Sequence, residues 1–197
     1  MIYVGEGDKP VAVDVERFMR ATHVLASDID DPEAITDLLN TAQEVVEKAT
    51  GRPFGPGEYR FTAAFGWWRR WWFPCCPVQD VTGIELIGAD GVAQAQPLDG
   101  VRVAMGEDEP QLILAEDWAG LAVDATEIRV TARVGAAPDD PAARTAQRAI
   151  VLIAREWLAS DMSMGDEGEV VPPRLSFGAL RLIKQARYKR PHIYRGA

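Results

Sequence analysis

Apolar residues at Ile35, Leu38, Leu39, Ala42, Val45, Val46 and Ala49 recur at the three- and four-residue spacing of one helix face, the strongest periodic signal in the chain. Asp31 suits the cap of this helix, Pro32 its first position and Glu33 its first turn, where the helix dipole favours an anion. Gly51 and Pro53 end it. A shorter helix is predicted from Asp14 to Leu25, with Val15, Phe18, Met19 and Val24 on one side and Ser27 to Asp31 as the interruption. A third opens at Asp139-Asp140-Pro141 and carries Ala146, Ala149, Ile150, Ile153, Trp157 and Leu158 on its apolar side. It is the natural partner for the Ile35 to Ala49 stripe. A last short helix over Leu175 to Arg187 would use Phe177, Leu180 and Ile183.

Between the helices the period changes to that of strands. Ile84 to Ile87 and Val92 flank Gly88-Ala89-Asp90-Gly91, and Asp-Gly between apolar segments signals a hairpin because both residues tolerate positive φ. Gln111 to Leu114 reads as another strand. In Glu127 to Val134, Ile128, Val130, Ala132 and Val134 line one face while Glu127, Arg129, Thr131 and Arg133 line the other, so one face is buried and one wet. The fold class is therefore α+β: a small α-helical core, with helices at about 13–50 and 141–162, interrupted by an antiparallel β region at about 58–135. Residues 1–169 are expected to form one acidic domain and 170–197 a basic C-terminal arm.

Charge gives that boundary. The last 28 residues hold no Asp or Glu and seven Lys or Arg, namely Arg174, Arg181, Lys184, Arg187, Lys189, Arg190 and Arg195. All 30 acidic residues and the other 14 basic ones precede them, so a body of charge −16 carries an arm of +7. Such an arm folds back on its own body or docks on another acidic surface. No apolar run approaches the roughly 20 residues that span a bilayer, and no membrane partner is expected. The N-terminus lacks the basic start and apolar core of a signal peptide, so a protein made in the cytoplasm is expected. Adjacent Cys75 and Cys76 disfavour both a structural disulfide and a two-point metal clamp, so free thiols are expected.

Catalytic chemistry finds little support. The two histidines, His23 and His192, have no Cys or acid at ligand spacing, and His23 is better placed to cap or pack. There is no Walker-type loop, no G-x-S-x-G elbow and no H-E-x-x-H. Carboxylate pairs such as Asp30-Asp31, Asp139-Asp140 and Glu107-Asp108-Glu109 fall in turns or before helices, where capping and solvation account for them. No cofactor, metal site or enzymatic activity is expected.

The order of these segments resembles a known family. A capped helix ending Val45-Val46-Glu47-Lys48-Ala49-Thr50-Gly51-Arg52-Pro53-Phe54 is followed by Pro77-Val78-Gln79-Asp80-Val81-Thr82-Gly83-Ile84 and the Asp90-Gly91 turn. Next come the strand Ile128 to Gly135, the helix Ala142 to Leu158 and a closing segment, Leu182 to Pro191. Over about residues 13 to 191 this is similar to the head-tail connector, or adaptor, proteins of tailed bacteriophages and gene transfer agents. Each motif is unspecific alone; their order carries the likeness. The resemblance implies a structural virion protein, assembled in the bacterial cytoplasm and residing at the head-tail junction. It would form a homo-oligomeric ring, twelve-fold in the particle, that binds the portal protein above and a tail-completion or stopper protein below. Double-stranded DNA would pass through its channel without sequence-specific binding. The portal-binding arm would comprise Arg174, Arg181, Lys184, Arg187, Tyr188, Lys189, Arg190, Tyr194 and Arg195. An acidic wall suits such a channel because it repels phosphate.

The chain departs from the family pattern at Trp67-Trp68-Arg69-Arg70-Trp71-Trp72-Phe73, which Gly66 and Pro74 confine to a strand or loop. A strand would place Trp67, Arg69, Trp71 and Phe73 on one face and Trp68, Arg70 and Trp72 on the other. Either the rings cap the protein's own core, or Trp67, Trp68, Arg69, Arg70, Trp71 and Trp72 form a subunit interface, where Trp and Arg are enriched. The alternative function is a nucleic-acid-binding module. Arg187, Tyr188, Lys189, Arg190, His192, Tyr194 and Arg195 interleave aromatic and basic groups as single-strand binding surfaces do, although the −16 body would repel the same polyanion.

Overall fold

Capping side chains fix where the helices begin. The computed structural model describes residues 1–25, 31–66, 68–116, 118, 125–137, 139–159 and 175–191, which contain four helices and eight strands. Helix α1 (Val15–Thr22) starts at Asp14, whose carboxylate accepts from the Arg17 N–H at 2.6 Å, and ends on His23 in the left-handed region. Helix α2 (Pro32–Thr50) starts at Asp31, which accepts from the N–H groups of Glu33 and Ala34, and stops at Gly51 with φ 66°. Asp140 accepts from Ala142 and Ala143 to open α3 (Pro141–Ala159), and Ser176 accepts from Ala179 to open α4 (Phe177–Ala186). Each cap stabilises its helix by about 1 kcal/mol.

The chain resolves into two compact units. The helical unit is Val11–Phe54 with Ala137–Arg187, and its core joins Phe18, Ile35, Leu39 and Val46 to Ile150, Ile153 and Ala154. The α2 stripe thus meets α3, as its pattern predicts. Two polar residues share the buried face of α2. Gln43 accepts from the Ala12 N–H at 2.8 Å and donates to Glu47 at 2.9 Å, and Glu47 accepts from the Phe54 N–H at 3.1 Å. Hydrogen bonding offsets the cost of burying these groups, and it ties down the two ends of the Val11–Phe54 segment, at Ala12 and Phe54.

Helix α4 differs from its sequence reading. Its buried residues are Ala179, Ile183 and Ala186, whereas Phe177 is 80% and Leu180 50% exposed. Leu158 on α3 is likewise exposed. Two stripes of helical spacing compete on α4, and small residues win because they allow close approach: a Cβ at Gly178 would meet Leu152 of α3 at 3.2 Å.

The β unit comprises Met1–Pro10 and Gly55–Ala136, with the described residues from Tyr188 on. Its larger sheet is antiparallel, in the order β1 (Ile2–Tyr3), β2 (Gly57–Ala64), β8 (Ala125–Val134), β4 (Val78–Gly88), β5 (Ala93–Gln96). Strands β4 and β5 form the hairpin expected around Asp90-Gly91. On β8, Ile128, Val130, Ala132 and Val134 are buried, matching the predicted alternation, and Leu86, Ile84 and Val81 of β4 stand opposite the first three. A smaller sheet runs β3 (Arg70–Trp72), β7 (Gln111–Ile113), β6 (Arg102–Ala104). Gly135, at φ 122°, lies so near the Gly55 carbonyl that any Cβ would overlap it. Among the described residues no helix is long and apolar enough to cross a membrane.

Candidate assembly surface

Strand β3 brings the tryptophan segment and the C-terminal segment together in the β unit. Trp71 turns inward with Phe73, and both rings meet Phe61 edge-on, at centroid distances of 6.2 and 5.4 Å. Trp72 takes the opposite side, as alternation along a strand demands. Its indole N–H donates to Glu109 at 2.8 Å, and the Arg70 guanidinium lies 5.8 Å from its ring centroid. Trp68 precedes the strand, stacks edge-on against Phe65 at 5.1 Å and donates to the Ala64 carbonyl. Hence Trp68 and Trp71 cover the protein's own core, while half-buried Trp72 and exposed Arg69 and Arg70 form the outer surface. Arg69 also pairs with exposed Glu116 at 2.9 Å and holds that carboxyl below its usual range. Trp67 lies outside the described residues.

The C-terminal segment reaches this surface directly after α4. Tyr188 is buried and its hydroxyl donates to the Phe73 carbonyl at 3.4 Å. Burial, followed by the neighbouring Cys76, pushes its phenol up to about 12. The next basic side chain but one, Arg190, stands over the Trp71 ring at 5.7 Å from the centroid. Arg181, Lys184, Arg187 and Lys189 are exposed. Arg174, Tyr194 and Arg195 lie outside the described residues, as does His192.

The other candidate chemistry resolves into structural roles. His23 is the C-cap of α1 and Asp31 and Asp140 are N-caps. Cys75 and Cys76 are buried thiols, Cys76 donating to the Glu107 carbonyl at 2.9 Å, and burial together with Cys76 pushes the Cys75 thiol up to about 12. Among the described residues no group of three or more His, Cys, Asp or Glu is placed to hold a metal ion. Four arginines of the helical unit, Arg17, Arg144, Arg148 and Arg155, line a common groove that the sequence reading did not single out. The signal was present in the spacing of the three on α3, which places them along one helix face.

No protein-family model and no curated protein sequence matches the chain. Its fold, however, matches chains in solved gene transfer agent particles over its whole length. One, from the neck of an empty particle computed with C6 symmetry, aligns at a TM-score of 0.67 and 18% identity. A second, from the virion of a native particle, gives 0.67 and 21%, and a third, from the neck of a native particle computed with C12 symmetry, gives 0.64 and 19%. In each case 100% of this chain and 99% of the other are covered. The resemblance read from segment order is thus matched at the level of fold.

Proposed function

We propose that this chain is a structural protein of the neck of a phage-like particle, a head-tail connector of the adaptor kind. The observation that carries the reading is the full-length fold match to gene transfer agent neck chains, with neither partner exceeding the other. On this reading the chain forms a ring beneath the portal, twelve copies in the particle, extends the DNA channel and offers the next ring a docking surface. The C12 symmetry of one matched neck supports that count. Exposed Arg181, Lys184, Arg187, Lys189 and Arg190, together with Arg174 and Arg195, supply the cations that meet an acidic groove on the portal, while buried Tyr188 anchors the segment to its own chain. Trp72 with Arg69 and Arg70 is the candidate subunit contact. The role is architectural and requires no catalysis.

Affinity capture from nuclease-treated lysate of the source cell tests the portal contact, comparing the native chain with an Arg181→Glu/Lys184→Glu/Lys189→Glu variant. Reversing exposed charges leaves the buried residues of α4 in place. Recovery of the portal protein by the native chain alone supports the proposal. Recovery of no neck component by either, with DNA retained when nuclease is omitted, favours the nucleic-acid-binding alternative.

A further inference from the structure

The helical unit holds a groove of about 710 Å³ that the connector reading does not use. It runs between α1 and α3, and among the described residues arginines are its only charged lining. Arg144, Arg148 and Arg155 stand four and then seven residues apart on α3, a line of about 16 Å along one helix face. Arg17 crosses from α1, its guanidinium fixed by donation at 2.6 Å to the buried Gln147. Among the described residues, none of the four has a carboxylate within ion-pair distance. Cations gathered in a cleft focus a positive potential there and draw an anion in, even on a chain of net charge −9.

The shape of the groove decides which anion. Half-buried Val151 and Leu152 lie between the arginines, so the lining alternates charge with apolar surface. A nucleic-acid duplex is convex and offers no apolar side chain to such a floor. An extended polypeptide does, and about five of its residues cover the 16 Å arginine line. Guanidinium groups also match carboxylates through paired hydrogen bonds. We propose that the groove is a docking site for an acidic polypeptide segment of a partner chain, with carboxylates on Arg144, Arg148 and Arg155 and an apolar side chain on Val151 and Leu152.

The test is fluorescence polarisation of the isolated full chain with a labelled peptide carrying Glu and Leu in turn at every second position with Ser between them, which puts both on one face of an extended chain, so its outcome does not depend on whether the chain is a neck protein. Saturable binding, weakened about tenfold or more in Arg144→Glu/Arg148→Glu and by raised salt, is the expected result. The reference variant is Arg102→Glu/Arg133→Glu, which reverses two exposed charges of the β unit and is expected to stay within about twofold of the native affinity. Circular dichroism establishes that both variants remain folded. Absence of saturable binding by the native chain overturns the proposal, as does equal loss in the reference variant. Preferential binding of a duplex oligonucleotide, lost in Arg144→Glu/Arg148→Glu, overturns it in favour of nucleic acid.

Discussion

The Arg190 guanidinium lies 5.7 Å from the centroid of the Trp71 ring, so a cation of the C-terminal segment is seated on a half-buried ring that packs against the core of the β unit. Two segments with separate candidate roles in the sequence share one surface. Tyr188, 115 residues from its acceptor Phe73, reinforces the same contact. Replacing Arg190 by Ala is expected to cost about 0.5–1 kcal/mol, the worth of an exposed cation–π contact. Urea unfolding followed by tryptophan fluorescence measures it, and an unchanged midpoint in Arg190→Ala would show that the contact adds nothing to stability.

Trp71 and Trp72 are expected to separate stability from assembly. Trp71→Ala removes a ring packed on Phe61 and Phe73 and is expected to destabilise the protein by about 2–3 kcal/mol. Trp72→Ala, whose ring faces outward beside Arg70, is expected to cost less than half of that and to abolish ring assembly. Electron microscopy of rings formed with the portal gives the readout. Retained rings in Trp72→Ala would rule out this residue as an essential subunit contact.

Glu47, bonded to Gln43, completes a side-chain link between the two ends of the Val11–Phe54 segment. Glu47→Ala would deprive the Phe54 N–H and the Gln43 amide of an acceptor inside the helical unit. The expected loss is about 2–4 kcal/mol, since each buried group left unsatisfied costs about 1–3 kcal/mol. Thermal unfolding by circular dichroism measures it, and a loss below about 1 kcal/mol would show that the network does not anchor the segment.

Cys75 and Tyr188 make the β unit sensitive to alkali. Both groups are held neutral, with folded values of about 12 against ordinary values of 9.0 and 10.0. A raised folded value means the stabilisation is complete below the unfolded value and is lost as pH rises through the folded one. Stability is therefore expected to fall between about pH 9 and 12, with Tyr188→Phe flattening the upper part of the fall and removing one late phenolate absorbance step. A thiol reagent at pH 8 is expected to label Cys75 only after unfolding. Rapid labelling of the native protein would contradict its burial.

Where local rules suffice, the sequence carried the structure. Asp31, Pro32 and Gly51 bound α2, Asp90-Gly91 turns the β4–β5 hairpin, and alternation along β8 separates its wet and buried faces. What was not legible depends on partners remote in sequence. Phe177 and Leu180 follow helical spacing as well as Ala179, Ile183 and Ala186 do, and only the approach of α3 selects the second stripe. Gln43 and Glu47 look like solvent-facing residues until Ala12 and Phe54 supply their partners. The meeting of Arg190 with Trp71 and the crossing of Arg17 to Gln147 have no local signature at all.

If this chain is a ring-forming connector of the neck, single-particle reconstruction of the neck from particles of the source cell will show it in place. Twelve copies of this fold are expected between portal and tail, with the segment after α4 directed at the portal. A neck whose rings are all built from other chains would contradict it.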